Sequence, residues 1–222
     1  MTNTICTLLA LVGLALAPSL KAEDGWVTMF NGKDLSGWKS NEETPGVFTI
    51  VDGSIKVDGG RAHLFYMGAD GAAKFTNFEF KAKVMTTAKK PDAECGSNSG
   101  IYFHTEYQEK GWPDKGFECQ VNTSHKDIKK TGGLYAVKDV LNDAPSKDGE
   151  WFDYSIKVEG KHVVIQINGK TTADWTQPDD WDPATALKNM PGRKLGSGTI
   201  ALQGHDPKST TFFKDLAIRA LP

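Results

Sequence analysis

Basic clusters are missing from this chain of 222 residues, whose formal net charge is only −2. Nucleic acids and anionic membrane surfaces are met with a concentrated Lys/Arg patch, so neither is an expected partner. No long stretch repeats with the helical period, and neither an internal repeat nor a linker interrupts the chain. Cysteine is scarce, at three residues. Cys95 and Cys119 have no histidines at zinc-like spacing beside them, which gives no metal signal of that kind. Export would permit a disulfide between them, but Cys119 reads equally well as a small buried hydrophobe. The one apolar run, Ile5 to Leu20, is short for a membrane span. There is no serine-hydrolase elbow, P-loop or Rossmann glycine pattern. The Glu-x-Asp-x-x-Glu arrangement of many β-sandwich glucanases is absent too. Glu118 has only Gln120 beside it, so a two-carboxylate glycosidase mechanism lacks an obvious second carboxylate.

What is present begins with that apolar run. It is rich in Leu and Ala, passes through Pro18-Ser19, and ends at Ala22 before Glu23-Asp24. It reads as a signal peptide over residues 1–22, which predicts an exported, periplasmic or extracellular protein with no membrane insertion after cleavage. Residues 23–222 suffice for one domain with a sizeable core. The 23 glycines and the turn-like pairs between short apolar runs favour an all-β chain.

Strands are expected at Val27–Phe30, Phe48–Val51, Ser54–Val57, Ala62–Tyr66 and Phe75–Met85. The Asp52-Gly53 pair between the second and third supplies the positive φ of a tight hairpin. Further strands are expected at Gly96–His104, Gly116–Val121, Thr131–Tyr135, Phe152–Glu159, His162–Ile167 and Thr171–Trp175. Gly198–His205 and Thr210–Ala220 close the set. Val137 to Gly149 reads as an excursion rather than a strand. Gln177 to Lys194 is long and Pro-containing, and loops of that length in a compact domain are often functional. The implied architecture is one β-sandwich with curved sheets.

Three strands carry unusual polar faces. Successive strand residues point to opposite sides. In Gly96–His104, Ser99, Ile101 and Phe103 share one side while Asn98, Tyr102 and His104 share the other. Phe117, Cys119 and Val121 oppose Glu118 and Gln120. Ile200, Leu202 and Gly204 oppose Ala201, Gln203 and His205. A half-exposed sheet with a solvated outer face shows the same alternation, and Glu118 would then pair with Lys81 or Lys83 across the sheet. This set is chemically richer than a solvated face, however. If the three faces share one concave sheet, amides and carboxylates can bind sugar hydroxyls while an aromatic ring covers sugar C–H faces. His63, His125 and His162 read as ordinary surface or strand residues, and Asp206 as a turn residue.

On these residues the chain resembles the 3-keto-disaccharide hydrolase domain family. The matching segments are Met29-Phe-Asn-Gly-Lys-Asp-Leu-Ser-Gly-Trp38, Asn98-Ser-Gly-Ile-Tyr-Phe103, Gly116-Phe-Glu-Cys-Gln-Val121 and Thr131-Gly-Gly-Leu-Tyr135. Gly149-Glu-Trp151, Ile167-Asn-Gly169 and Ile200-Ala-Leu-Gln-Gly-His205 follow in family order. Two positions depart from the pattern: His104, where members often carry Arg, and Asp153, where Asn is common. The resemblance implies the concanavalin A-like lectin/glucanase fold, a jelly-roll β-sandwich of two curved antiparallel sheets, and a glycoside substrate oxidised to a ketone at sugar carbon 3.

Such a ketone acidifies the proton at carbon 2, which removes the need for a second carboxylate. A base takes that proton, the leaving group departs from carbon 1, and water adds back. Glu118 and His205 are the candidate catalytic residues. Asn98, Tyr102, His104, Gln120, Tyr135 and Gln203 are the candidate substrate-binding residues. Glu118 and His205 could also share a divalent metal ion, whose remaining ligands the sequence does not show. The alternatives are a non-catalytic carbohydrate-binding module on the same fold and a purely structural sandwich.

Overall fold

The structure, a computed structural model, describes residues 23–222 apart from 42, 89–95 and 125. The expected signal segment, Cys95 and His125 therefore lie outside the described residues, and so does any Cys95–Cys119 pairing. Among the described residues, the opening strands are β1 (Val27–Thr28), β2 (Trp38–Ser40), β3 (Phe48–Val51), β4 (Ser54–Asp58) and β5 (Ala62–Tyr66). The middle of the chain forms β6 (Phe78–Ala88), β7 (Asn98–Thr105), β8 (Phe117–Asn122), β9 (Lys129–Leu134) and β10 (Lys138–Leu141). β11 (Phe152–Glu159), β12 (His162–Ile167), β13 (Lys170–Thr176), β14 (Thr199–Gly204) and β15 (Ser209–Ala220) complete it. A single α-helical turn, α1 (Pro183–Ala186), stands between β13 and β14.

These strands form two antiparallel sheets, as the alternating patterns predict. The eight-stranded sheet runs β13-β12-β11-β6-β15-β4-β3, with β1 beside β15. The seven-stranded sheet runs β10-β9-β8-β7-β14-β5-β2. The expected hairpin at Asp52-Gly53 is present, with φ of 48° and 71° at its two central residues. Strand β6 is central and buries Phe78, Phe80, Ala82 and Val84 against the facing sheet. That sheet supplies Leu64, Ile101, Phe103, Phe117, Cys119, Val121 and Leu202 to the same core. Each fully buried Phe or Leu side chain contributes about 2 kcal/mol relative to exposure.

Two segments differ from the sequence reading. Lys138–Leu141 is a strand, paired with β9 at the sheet edge through an irregular register. Its four residues are exposed or half-buried, so no apolar alternation announces them; pairing with a neighbour makes the strand. The first strand is also shorter than Val27–Phe30. Met29 donates its backbone N–H to Leu216 at 2.9 Å but has left the ladder, and both Met29 and Phe30 are buried.

Candidate active site

The polar faces of β7, β8 and β14 do lie on one surface of one sheet. Gly100 of β7 stands between Gln120 of β8 and Gln203 of β14, and His63 of β5 stands beside Gln203. In the next row Tyr102 pairs with Glu118 on one side and Ala201 on the other. This surface is not solvated: every residue of β7, β8 and β14 is buried. Loops close over it and leave a cleft of about 1100 Å³. Asn98, Tyr102, Glu118, Gln120, Tyr135, Gln203 and His205, all expected here, line that cleft.

Glu118 is the centre of the floor and is 6% exposed. Tyr102 donates its hydroxyl to one carboxylate oxygen at 2.9 Å, and Gln203 Nε2 donates to the other at 3.0 Å. The same Gln203 amide donates to the Tyr102 hydroxyl at 3.1 Å. A methyl group at position 100 would stand 2.8 Å from Glu118 Oε1, so glycine there makes the room into which the carboxylate folds. Burial pushes the Glu118 carboxyl above its ordinary range, against the opposing pull of Arg193, Tyr102 and Gln203. Burial, with Glu118 adding to it, holds the Tyr102 phenol well above its usual value. Glu118 does not pair with Lys81 or Lys83, which sit on the other sheet; Lys83 instead pairs with Asp153 at 2.7 Å. Asp153, one of the two departures from the family pattern, is thus remote from the cleft.

Arg193 is the partner of Glu118 that sequence reasoning missed. It is 5% exposed, and its Nη2 lies 3.6 Å from Glu118 Oε2. Its Nη1 donates to the Gly116 carbonyl at 3.2 Å, and the guanidinium covers the Tyr102 ring at 5.2 Å. The long Gln177–Lys194 segment delivers it. Trp181 donates its indole N–H to the Arg193 carbonyl at 2.7 Å and packs edge-on against Trp175, which packs on Phe117 in the core. Gly192 donates no side chain to a spot where a Cβ would lie 1.8 Å from the Asp114 carbonyl, so the two cleft loops lock together. Two cues were available: the loop's length, and the fact that only three arginines (Arg61, Arg193 and Arg219) occur in the whole chain.

His205 closes one side of the floor. Its Nδ1 lies 3.0 Å from Asp206 Oδ2 and its Nε2 lies 3.3 Å from Asn98 Nδ2. Burial alone would raise the Asp206 carboxyl. Hydrogen bonds from His205, the Lys208 N–H and Ser209 outweigh it and hold Asp206 below its ordinary range. An ionised carboxylate only accepts, so Nδ1 carries the proton and Nε2, on the cleft side, accepts from the Asn98 amide. Asp206 does serve its turn, accepting from Lys208 N at 2.8 Å, and it orients the imidazole as well.

His104 is the expected site residue that the structure removes. Between Thr105 and Tyr102 the pairing with β14 slips by one residue, and His104 takes φ of 54°. Such a bulge re-aims the side chain. The imidazole donates from Nε2 to the Thr76 carbonyl at 2.8 Å, accepts at Nδ1 from Gly196 N at 3.2 Å, and packs on Phe78 and Phe103. Burial lowers its pKa, and with both nitrogens satisfied it is a structural histidine outside the cleft. His63, expected to be ordinary, is fully buried beneath the site against Tyr102 and Trp112. Burial drives its pKa down to about 3.

The floor holds a further signature. Asn98 Oδ1, Gln120 Oε1 and Gln203 Oε1 are buried without a hydrogen-bond partner among the described residues. Leaving such a group unpaired costs about 1–3 kcal/mol, so three in one place mark a surface shaped for a ligand's donors. A metal is less well served. Glu118 and His205 both face the cleft, but no group of three His, Cys, Asp or Glu residues among the described ones is placed to hold an ion. Arg193 already supplies the positive charge beside Glu118.

The two sheets and their covered polar face define a protein of the lectin and glucanase sandwich class. Its backbone superposes on a solved Parabacteroides distasonis protein with a TM-score of 0.72 at 23% identity, covering 89% of this chain and 94% of that one. The carbohydrate-binding module CBM66 of Bacillus subtilis gives 0.56 at 12% identity, over 83% of this chain and 96% of that one. The family GH16 endo-β-1,3(4)-glucanase SCLam gives 0.53 at 13%, over 88% and 91%. The fold thus hosts both a binding module and a hydrolase, and only the site can separate them. Within this class the chain belongs to the 3-keto-alpha-glucoside-1,2-lyase-like domain family, whose model matches residues 25–219. A curated relative, the 3-keto-disaccharide hydrolase of Bacteroides thetaiotaomicron, is 26% identical over 89% of this chain and 79% of its own length. Among the described residues no helix is long and apolar enough to cross a membrane.

Proposed function

We propose that this chain is a carbohydrate hydrolase that cleaves 3-keto-glycosides by ketone-assisted elimination followed by addition of water. The observation that carries the reading is the composition of the floor. It has one oriented imidazole, one guanidinium and three amide oxygens without partners around a single buried carboxylate. Asp114 and Asp127, the other carboxylates lining the cleft, come from its loops. The family match and the activity named for the Bacteroides relative point the same way.

Between the two candidate bases, the geometry favours His205. Both oxygens of Glu118 are held by Tyr102 and Gln203 at 2.9 and 3.0 Å, whereas Nε2 of His205, on a ring oriented by Asp206, faces one longer contact, Asn98 Nδ2 at 3.3 Å. In the proposed sequence Nε2 takes the proton from carbon 2, and the C2–H electron pair forms the enolate. The carbon 1–oxygen bond breaks, and the departing oxygen takes the proton back from the imidazolium. Water then adds at carbon 1 while a proton returns to carbon 2, for net hydrolysis. The amide oxygens accept from sugar hydroxyls and cannot hydrogen-bond a ketone. The ketone is placed at Arg193, whose fixed charge stabilises the enolate oxygen. Glu118 keeps Arg193 and Tyr102 in place. The apolar run before Ala22 supports action after export.

The test pairs a chromogenic 3-keto-glucoside with its unoxidised counterpart, each with and without chelator. Release from the keto substrate alone is expected. Release from both would replace this reading with an ordinary glycosidase, and sugar binding without any release would replace it with a binding module. Loss of release in the chelator arm would add a metal to the site.

A further inference from the structure

The connection from β14 to β15, Gly204 to Ser209, crosses from the sheet that carries the cleft to the sheet opposite. Ser209 N donates to the Asp206 carbonyl at 3.2 Å, which folds the connection into a turn. The turn sets the Asp206 carboxylate between His205 on one side and Ser209 on the other.

Four hydrogen bonds then close a ring. The Asn98 backbone N–H donates to Ser209 Oγ at 2.7 Å. Ser209 Oγ donates to Asp206 Oδ2 at 2.9 Å. The same Oδ2 lies 3.0 Å from His205 Nδ1, and His205 Nε2 lies 3.3 Å from the Asn98 side-chain amide. Donor and acceptor capacity gives the ring its direction. A backbone N–H only donates, so Ser209 Oγ accepts there and its one hydrogen is left for Asp206. The other carboxylate oxygen, Oδ1, accepts from Lys208 N at 2.8 Å. Each oxygen of Asp206 is thus fixed by a donor from the connection itself, and the carboxylate cannot turn without breaking one. Ser209 is 4% exposed and Asn98 8%, so the bond they share is shielded from water.

His205 needs such a hold. Pairing of β14 with β7 stops at Gly204, one residue earlier, and the His205 side chain is 36% exposed. Trp112 limits the imidazole on one face, at 5.3 Å between ring centres, but rotation within the ring plane is left to the Asp206 contact. Ser209, by contrast, is fixed: it opens β15 and pairs with Ala88 at the end of β6.

We propose that Ser209 is a positioning residue for His205, acting through Asp206, and that it ties the base to the sheet opposite the one bearing the cleft. The proposal rests on the role given to His205 above. A partner of this kind sets the orientation of a reacting imidazole without touching the substrate.

The experiment measures kcat and KM for a chromogenic 3-keto-glucoside on the parent, Ser209→Ala, Asp206→Ala and the double variant, well below every unfolding midpoint. Ser209→Ala also strands the Asn98 N–H, so its midpoint falls whatever it does for His205, and stability is not the readout. Asp206→Ala is expected to lower kcat about hundredfold and Ser209→Ala about tenfold, each with KM within about twofold. In the Asp206→Ala background, removing the Ser209 hydroxyl should cost less than about twofold more, because its route to the imidazole is already gone. A further loss as large as in the parent background would show Ser209 acting elsewhere and would overturn the proposal. An unchanged kcat in Ser209→Ala, or a loss carried by KM instead, would overturn it too. Failure of the parent to turn over the keto substrate would sink the proposed function, and crystal structures of the parent and Ser209→Ala then decide the positioning alone. With the hydroxyl gone, Asp206 Oδ2 and His205 Nδ1 should part beyond hydrogen-bond distance; a pair that keeps its parent geometry overturns the proposal.

Discussion

The outward faces of the two sheets are both polar, yet they obey different physics. On the eight-stranded sheet, Glu79, Lys81, Lys83, Asp153 and Lys157 alternate with core residues and reach solvent. Their ion pairs, such as Lys83–Asp153, are between groups water would serve nearly as well. On the seven-stranded sheet the corresponding positions hold Tyr102, Glu118, Gln120 and Gln203, and loops have taken the water away. Here each polar group must find a fixed partner or stand as an unsatisfied cost. Most find one. Among the described residues, the ring nitrogens of His63 beneath the site do not, nor do three amide oxygens of the floor, and those oxygens are where a ligand's donors belong. A polar strand face is informative when it is buried, and the covering loops make it so.

The largest effect is expected at His205. Replacing it with Ala is expected to lower kcat for a 3-keto-glucoside about a thousandfold, in the range of a lost general base. Its partly exposed ring carries little of the fold, so the thermal midpoint should hardly move. Full retained activity would remove His205 from the mechanism. Arg193→Ala is expected to cost about 3 kcal/mol in denaturant unfolding, because it strands the Glu118 carboxylate in a dry site. Adding Glu118→Gln should recover at least about half of that loss, since the neutral amide needs no countercharge. A double variant no more stable than Arg193→Ala would mean that the pair does not account for the cost.

Gly100→Ala inserts a single methyl group 2.8 Å from where Glu118 Oε1 stands. Activity should fall about tenfold or more as the carboxylate leaves Gln203, the effect of a small misplacement in a site. The acid limb offers a smaller effect. The His63 pKa is lowered to about 3 from an ordinary 6.5, so between those values the unfolded chain takes up a proton that the folded chain refuses. Stability conferred by neutral His63 is therefore fully present above pH 6.5 and is lost as the pH falls towards 3. His63→Leu should flatten the stability-against-pH curve in that window; an unchanged slope would show His63 titrating normally. On the solvated face, Lys83→Ala should leave both activity and the thermal midpoint unchanged within error, and a loss of activity there would undo the distinction between the two faces.

Much of this architecture was legible because strand periodicity and burial are coupled. The Phe78–Val84 alternation, the Asp52-Gly53 hairpin and the inward Ile101, Cys119 and Leu202 all follow from a two-residue period and one core. The same period placed Asn98, Tyr102, Glu118, Gln120, Gln203 and His205 on common faces, and the structure brings them to one cleft. It failed at His104 because a bulge is a one-residue slip in pairing, fixed by the neighbouring strand and invisible in the alternation itself. It failed at Lys138–Leu141 because an exposed edge strand needs no apolar signal. Local pattern also made His63 ordinary, since nothing in its own segment says that Trp112 will fold over it.

By itself, then, the sequence determined the two-layer β architecture and the chemical character of each strand face, because those depend on side-chain order along an extended chain. Tertiary structure decided which face loses its water, that Arg193 from a distant loop meets Glu118, and that Asp206 aims His205 into the cleft. These depend on contacts between segments far apart in the chain, with strand order, loop packing and a single bulge setting distances that no local pattern encodes.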